Sequence, residues 1–376
     1  MDVRQRRARL GVRHALATKI DTVEQVADAV VALHATDLPT VHLSVAARTK
    51  ADDVERALYD DRTLVRMLGM RRTMFVVPAA LVPVVQEACT REVAVRLRKG
   101  LVKDIAEVGR SGEWLAELED AVVAALAERG EAFAAELSAA EPRLRTEITY
   151  APGKLYGGTG YITNRVLGLV AAEGRIVRGR PRGSWLSGQY AWSTIEAWLP
   201  GIVGWTVDAA RAELARRWLW AYGPAPVSDL KWWAGWTVAQ TRKALADVGA
   251  TDVDGMVLLA DDVEPVVEPE PWVALLPALD PTPMGWQNRD WFLDPTYRPS
   301  LFDRSGNVGP TVWCDGQVVG GWAQRASGEV VIRLLTDVGK TAENTITAEA
   351  QRVEAWLGVT RVTPKFRTPL EKELSA

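Results

Sequence analysis

The chain has 376 residues, of which 48% are hydrophobic and 25% are charged, and its formal net charge is −3. This length exceeds what one hydrophobic core organises and predicts a globular protein of two to four domains. The slightly negative net charge excludes a protein whose whole surface is positively charged. The two cysteines and three histidines exclude a disulfide scaffold and leave too few ligands for a zinc site, so we expect reduced Cys89 and Cys314 and no bound metal.

The N-terminal sequence MDVRQRRARLGVRHAL is basic, and no apolar run follows it. This pattern excludes a secretory signal. No later stretch is long and apolar enough to cross a bilayer. We therefore expect a cytoplasmic protein without membrane partners.

The segment 22–33 begins with a capping box, a threonine followed three residues later by a glutamine, and its apolar residues follow helical spacing. This pattern predicts a helix that runs to about Asp37 and ends before Pro39. His34 and Asp37 would then lie near one another at the helix C-terminus, where a carboxylate opposes the helix dipole. Such a conflict is typical of a functional site. The alternative is a packed histidine followed by an ordinary turn.

The remainder of the first 110 residues is mostly helical, with one short strand. A helix capped by Asp52 or Asp53 is predicted to run to Tyr59, and the residues before Pro78 form a strand over 71–77. A helix follows over 79–99, and its later half is rich in arginine and lysine. A charge run of this kind is usually a solvated helix face.

Residues 112–195 predict two helices, a glycine-rich turn, a third helix over 164–173 that ends at Gly174, and a hairpin over 175–192. Helix, turn, helix and hairpin in this order are typical of a winged helix. Four arginines surround the hairpin turn: Arg175, Arg178, Arg180 and Arg182.

The same order recurs from Ala209 onwards, which indicates tandem modules. A helix over 209–221, a short helix and turn over 223–236 and a helix over 237–248 are followed by a hairpin formed by 253–260 and the residues after 266. From about Pro265, proline, glycine and short β-rich runs dominate. The predicted strands lie at 272–277, 311–314, 317–322 and 330–335. Asp315-Gly316 is typical of a two-residue hairpin turn, and one helix over 342–357 follows. We expect a small β-barrel or sheet domain here, so that the fold class is α+β with several domains.

Familiar catalytic motifs are absent from the sequence. It has no Walker loop, no G-x-S-x-G elbow and no H-E-x-x-H helix, and the glycines at 157–160 lack the preceding strand of a dinucleotide-binding turn. What remains is a polar cluster at 34–37 and several arginine-bearing segments. These features favour a nucleic-acid partner over a small-molecule pocket.

The sequence resembles the winged-helix DNA glycosylases of the AlkZ and YcaQ type. The resemblance depends on LHATD at 33–37, ERALYDDRTLVRMLGMRRTMFVVP at 55–78, GKLYGGTGYITNRVLGLVAAEGRIVRGR at 153–180, YGPAPVSDLKWWAG at 222–235 and ALLPALDPTPMGW at 274–286. It implies three tandem winged-helix modules and a C-terminal β-barrel that form a C-shaped clamp on duplex DNA. The domain ranges would be 1–110, 111–195, 196–264 and 265–376.

The resemblance also implies a function. Such enzymes are monofunctional DNA glycosylases that excise alkylated purines, including bulky N7-alkylguanine adducts and some interstrand crosslinks, in base-excision repair or self-resistance to a genotoxin. They need no cofactor. Their catalytic element is a Gln-x-Gln or Gln-x-Asp motif, whose aligned positions here are His34 and Thr36, with Asp37 following. We expect Asp37 to supply the carboxylate, His34 to act as its hydrogen-bonding partner and Thr36 to contribute less.

We expect the protein to bind double-stranded DNA as a monomer associated with the nucleoid. The expected DNA-contacting residues are Arg71, Arg72, Lys154, Tyr156, Asn164, Arg165, Arg175, Arg178, Arg180 and Arg182. Two alternatives stay open: a non-catalytic DNA-binding protein or transcriptional regulator built from the same modules, and a protein-interaction scaffold without DNA affinity, which the arginine-rich hairpin disfavours.

Overall fold

A computed structural model of the chain describes residues 2–150, 153 and 157–376. The helices in these residues are α1 Val3–Arg13, α2 Val23–Ala29, α3 Leu38–Ala46, α4 Val82–Val85, α5 Arg91–Ala106, α6 Gly112–Arg129, α7 Ala134–Ala140, α8 Thr163–Ala172, α9 Ile195–Trp198, α10 Val207–Tyr222, α11 Val227–Ala234, α12 Val238–Asp247, α13 Arg298–Leu301, α14 Lys340–Leu357 and α15 Pro369–Leu374. Short 3₁₀ or π segments lie at Arg56–Asp60, Met70–Arg72, Ala79–Leu81, Gln86–Thr90, Pro142–Arg145 and Pro295–Tyr297.

The strands are β1 Leu33–His34, β2 Leu64–Leu68, β3 Met74–Pro78, β4 Glu131–Phe133, β5 Glu147–Tyr150, β6 Gly158–Tyr161, β7 Ile176–Pro181, β8 Tyr190–Thr194, β9 Ala250–Val253, β10 Met256–Leu259, β11 Val273–Leu276, β12 Thr311–Cys314, β13 Gln317–Gln324 and β14 Val330–Leu334. The chain divides into two compact units. Unit 1 comprises Met1–Val54, Phe75–Pro78 and Arg211–Ala376, and unit 2 comprises Glu55–Met74 and Ala79–Ala210. The fold is mixed α and β, as the sequence predicts, and the four predicted domain ranges stay predictions.

Unit 2 contains the helices and hairpin predicted over 112–195. The Ser111 side chain caps α6, which ends at Gly130 with a φ of 78°, a left-handed conformation that favours glycine. Strands β4, β8 and β7 form an antiparallel sheet in that order. Its core joins apolar residues of α6 and α8 to Trp192 of β8. The arginine-rich hairpin is thus one edge of a packed sheet, although its return strand begins later than predicted.

Unit 1 holds an antiparallel sheet with the strand order β11-β12-β13-β14. Asp315-Gly316 forms the predicted turn between β12 and β13, where Cys314 pairs with Gln317. Among the described strands β11 and β14 lie at the two edges of this sheet, which is therefore open. Of the two predicted alternatives for this part of the chain, the sheet is observed and the β-barrel is wrong. The hairpin predicted for 253–260 and 266 is also wrong, because β9 and β10 close it within 250–259 around Gly255, whose φ is 79°.

Aromatic side chains fill much of the interior, as bulky rings in a globular core do. Ten of the sixteen tryptophans are buried: Trp192, Trp198, Trp218, Trp233, Trp236, Trp272, Trp286, Trp291, Trp313 and Trp322. In unit 1, Trp286 contacts the rings of His14, Tyr222, Trp291 and Phe292. These tryptophans stabilise the core and are not exposed for base stacking. No helix among the described residues is long and apolar enough to cross a membrane.

Candidate active site

The segment that carries the polar cluster folds differently from its prediction. Helix α2 begins with the predicted capping box of Thr22 and Gln25 but ends at Ala29. The chain then turns through Val31, which has a φ of 65°, and enters strand β1, where His34 pairs with Phe75 of β3. A helix continuing to Asp37 is therefore wrong. The apolar run after Ala29 is a turn and a buried strand, two structures that helical spacing alone does not separate over so few residues.

The His34 side chain packs in the core of unit 1. It is 4% exposed, and its ring centroid lies 5.0 Å from that of Phe75 at an interplanar angle of 56°. His34 therefore lies in a strand and not at a helix end. Its ring is fixed by packing, which agrees with the plainer alternative for this residue.

Asp37 occupies the N-cap position of α3, and Pro39 lies in the first turn of that helix. Proline is tolerated there because the N–H it lacks would have no partner within the helix. The prediction that Asp37 lies at a helix C-terminus is wrong, because the residue lies at a helix N-terminus. A helix N-terminus favours a carboxylate, so the predicted conflict with the dipole is absent. Sequence reasoning failed here because proline both ends helices and begins them.

The Asp37 carboxylate contacts a distant part of the chain. Among the described residues its side chain makes no capping bond to its own helix, although aspartate commonly caps at this position. Its Oδ2 instead accepts a hydrogen bond of 2.9 Å from the backbone N–H of Lys365. The hydroxyl of neighbouring Thr36 is buried and has no hydrogen-bond partner in the described part of the chain. Residues 36 and 37 thus supply a buried hydroxyl and a carboxylate at consecutive positions of the chain.

One face of α3 is fastened to the loop that follows β11. The Thr40 hydroxyl donates to the Ala278 carbonyl over 2.8 Å, and the Ser44 hydroxyl donates to Asp280 Oδ2 over 2.6 Å. Arg48 donates to both carboxylate oxygens of Asp280, at 2.7 Å and 2.9 Å. Thr40 and Ser44 lie four residues apart on one face of α3, and Arg48 follows two residues after the end of that helix. Sequence reasoning missed this network, although polar residues every four positions in an apolar segment were its visible sign.

The Arg48–Asp280 pair is completely buried, with both side chains 0% exposed. Arg48 also donates to the His14 carbonyl and to the Thr282 hydroxyl. The His14 ring contacts Thr282 through Nδ1 and the Ala221 carbonyl through Nε2. Burial, reinforced by the Arg48 charge, lowers the pKa of His14 to about 3, so this ring is neutral at physiological pH. The network fixes α3, the helix that begins directly after Asp37.

A small cavity of about 20 Å³ lies beside Asp37 within unit 1. Its polar lining comes from Asp37, Thr40, Gln324 and Glu371. This volume is enough for one water molecule, which needs about 10–15 Å³ and two to four polar partners. The surroundings of Asp37 are therefore close-packed and leave space for one water molecule or a polar group of similar size.

The four arginines of the hairpin differ in their contacts, all of them within unit 2. Arg175 pairs with Asp120 at 2.6 Å, and Arg180 pairs with Asp60 at 2.6 Å and stacks over Tyr59. Arg178 lies over the rings of Tyr190 and Trp192. Arg182 is exposed and lies over Phe133. The sequence does not show the acidic partners of Arg175 and Arg180, because they lie 55 and 120 residues away.

The other predicted DNA contacts are spread over unit 2. Arg165 pairs with Asp104 at 2.6 Å, and Asn164 is exposed at the start of α8. Arg71 and Arg72 lie in the short turn before β3 with φ values of 52° and 60°, which backbones other than glycine adopt only under local constraint. Lys154 and Tyr156 lie outside the described residues.

Neither a metal centre nor a disulfide is found in the part of the chain that the structure describes. Cys89 is buried and Cys314 is partly buried, and neither of the two forms a disulfide. Burial, helped by neighbouring Asp315, raises the pKa of Cys314 to about 11, so this thiol is protonated and unreactive at neutral pH.

Comparison with known proteins identifies the class of enzyme. A family model described as DNA glycosylase AlkZ-like matches residues 27–356, a range that includes the polar cluster at 34–37 and the arginine-rich hairpin. The protein is therefore a DNA glycosylase, an enzyme of DNA repair that binds DNA. Specifically, the chain belongs to the AlkZ-like DNA glycosylase family.

A solved structure is similar to this chain. The DNA glycosylase AlkZ of Streptomyces sahachiroi matches it with a TM-score of 0.73 and 21% sequence identity, over 96% of this chain and 98% of that chain. At this identity the likeness shows a shared fold. None of the curated proteins matches the chain.

Proposed function

We propose that the protein is a monofunctional glycosylase that excises alkylated purines from duplex DNA, with Asp37 as its catalytic carboxylate. The observation that carries this proposal is the position of Asp37. Its carboxylate lies at the N-terminus of α3 and accepts a hydrogen bond from the backbone N–H of Lys365, and the preceding residue, Thr36, has a buried hydroxyl. Membership of a glycosylase family supplies the reaction class, and Asp37 is the carboxylate of the segment aligned with the family motif.

The chemistry asks little of the enzyme. An N7-alkylated purine is a cationic leaving group, so the glycosidic bond breaks once positive charge on the sugar is stabilised and a water is positioned. A carboxylate performs both tasks in glycoside cleavage generally. Asp37 accepts a proton from the water as the water attacks the sugar carbon, the purine leaves with the bonding electrons, and the ionised carboxylate stabilises the oxocarbenium-like charge before that transfer.

His34 and Thr36 occupy the two positions that the family resemblance aligns with its glutamines. The buried Thr36 hydroxyl, at the position before Asp37, is a second hydrogen-bonding group for the water or the sugar. The His34 ring packs on Phe75, so its contribution is to hold β1 and the following residues. We therefore assign the main chemical role to Asp37, a lesser direct role to Thr36 and a positioning role to His34.

DNA binding is assigned to the hairpin arginines Arg175, Arg178, Arg180 and Arg182. Solvent-exposed ion pairs such as Arg180–Asp60 contribute about 0–1 kcal/mol, so exchanging the aspartate for a DNA phosphate is energetically easy. Phosphate contacts of this kind position a protein on duplex DNA without reading its sequence. The C-shaped clamp of three winged-helix modules, the monomeric state and the nucleoid location are part of the same proposal.

The experiment is a base-release assay with the purified protein. Duplexes carrying N7-methylguanine, a bulkier N7-alkylguanine or unmodified guanine are incubated with enzyme, and the freed base is identified by mass spectrometry. We expect release of the alkylated base and an abasic product without strand cleavage, and no release of guanine. DNA binding without release from any alkylated duplex would favour the non-catalytic DNA-binding alternative.

A further inference from the structure

The carboxylate at Asp37 contacts a segment that follows it by 328 residues, the stretch Val362–Phe366 between α14 and α15. From this contact we propose that Val362–Phe366 is a positioning element of the active site, in which the backbone N–H of Lys365 fixes the orientation and ionised state of Asp37. The inference rests on the proposed catalytic role of Asp37. It adds the C-terminal part of the chain to the site, where neither sequence reasoning nor the family motif places it.

The segment is fixed on both sides of Lys365. Before it, the Val362 N–H donates to Gln324 Oε1 over 2.9 Å, and Gln324 Nε2 donates to the Thr360 carbonyl. After it, Thr368 is buried and occupies the N-cap position of α15, and its carbonyl accepts a hydrogen bond from the Lys372 N–H. Gln324 is the last residue of β13, so the donor to Asp37 is attached to the central sheet of unit 1. A rigidly held donor positions a catalytic group better than a mobile one.

A backbone N–H suits this task because it carries no formal charge and does not titrate. A hydrogen bond donated to a carboxylate favours the ionised form, which is the form that accepts a proton from water. The bond also restricts rotation of the carboxylate about its side-chain torsion. Asp37 lacks a capping bond to α3 among the described residues, so the contact with Lys365 replaces the orientation that capping ordinarily gives.

Titratable side chains of the described residues also lie on this segment and in the cavity beside Asp37. The Lys365 side chain is exposed, and its Nζ lies 5.8 Å from the ring centroid of Phe366. Glu371 lines the small cavity with Asp37 and pairs with Arg367 at 2.7 Å, and His34 is three residues upstream. Because a positive side chain at position 365 would also favour an ionised Asp37, the experiment must separate the backbone N–H from the ammonium group.

Two substitutions at one position achieve this separation. Lys365→Ala removes the ammonium and keeps the N–H, whereas Lys365→Pro removes both. Single-turnover release of N7-methylguanine is measured from pH 4 to 8, with duplex affinity measured in parallel. In Lys365→Ala we expect the acidic limb of the pH–rate profile to lie within about 0.3 pH unit of the wild-type limb, since an exposed charge acts weakly through water. We expect Lys365→Pro to slow release by about tenfold or more and to move the acidic limb upward by about one pH unit.

A backbone-only change covers the case in which the proline variant does not fold. Incorporating the α-hydroxy analogue of lysine at position 365 replaces the amide by an ester, which removes the N–H and retains the side chain. The same slower rate and upward pH shift are expected. A folded proline or ester variant with the wild-type rate and pH profile would overturn the positioning role of Lys365, as would an equal shift in Lys365→Ala.

Failure of the proposed function gives a different result. If Asp37→Asn retains full excision, or if the wild type excises nothing, Asp37 is not the catalytic carboxylate and the proposal for Lys365 falls with it. If Asp37→Asn abolishes excision while the proline and ester variants behave as wild type, only the positioning inference is wrong.

Discussion

The buried pair of Arg48 and Asp280 is a sharp test of how α3 is held. Asp280→Asn keeps the shape of the side chain and removes its charge, which leaves the Arg48 guanidinium in a site where both side chains are 0% exposed. Breaking a buried ion pair from one side costs about 3–5 kcal/mol. The remaining acceptors of Arg48, the Ser44 and His14 carbonyls and the Thr282 hydroxyl, place the expected loss near 3 kcal/mol. That is a large part of the roughly 5–15 kcal/mol by which domains are stable.

The assay is urea denaturation followed by circular dichroism. A matched control is Glu329→Gln, which breaks the Arg325–Glu329 pair of the same 2.7 Å length but with side chains 45% and 53% exposed, and which should cost less than about 1 kcal/mol. The double variant Arg48→Met/Asp280→Leu should recover most of the loss, because it leaves no buried charge. A loss below about 1 kcal/mol in Asp280→Asn would refute this account of the network. So would a double variant whose loss equals the sum of the losses in Arg48→Met and Asp280→Leu measured singly.

Three further predictions concern DNA binding, pH and the histidine of the motif. Replacing Arg180 and Arg182 by alanine should weaken binding to all duplexes and reduce the magnitude of the slope of log affinity against log salt by about two units. The control variant Arg325→Ala/Arg333→Ala, which changes two exposed arginines outside the hairpin, should keep the wild-type slope. An unchanged slope in the Arg180/Arg182 variant would contradict the assignment of DNA binding to the hairpin. Burial lowers the pKa of His14 to about 3 and the pKa of His42 to about 4. Because both values lie below the ordinary histidine pKa of about 6.5, the unfolded state takes up protons at a higher pH than the folded state does. As the pH falls below 6.5, the free energy of unfolding should therefore decrease, by about 2 kcal/mol per histidine at pH 5. Urea titrations at pH 7.5 and 5 measure this, and His42→Leu should remove about half of the decline. His34→Ala should reduce base release less than Asp37→Asn does, and an equal loss in both would argue for a direct chemical role of His34.

Much of the fold follows from local sequence signals. Capping residues and glycines at helix ends locate α6, α8 and α12, because these signals act within one turn of the chain. Asp315-Gly316 locates the β12–β13 turn for the same reason. The wrong predictions concern sequence patterns that are compatible with two different structures. The apolar residues after Ala29 suit a helix or a buried strand, and Pro39 suits the end of one helix or the start of the next.

The site was predictable only in part. Residues 34–37 were found from the sequence, but the orientation of Asp37 depends on Lys365, and that of α3 depends on Asp280. These partners lie more than 200 residues away, and no periodicity or spacing connects them to the motif. The sequence also does not predict that the β11–β14 sheet is open, since the pattern of a strand does not show whether the two outermost strands pair with each other.

The central claim is that the Asp37 carboxylate performs the excision, and single-turnover base release by Asp37→Asn tests it most directly. The substrate is a duplex with one N7-methylguanine, affinity for the same duplex is measured alongside, and Asp21→Asn, a change at an exposed aspartate just before α2, is the control. We expect Asp37→Asn to lose at least about a hundredfold in rate at nearly unchanged affinity, while Asp21→Asn keeps the wild-type rate. Full excision by Asp37→Asn would contradict the account.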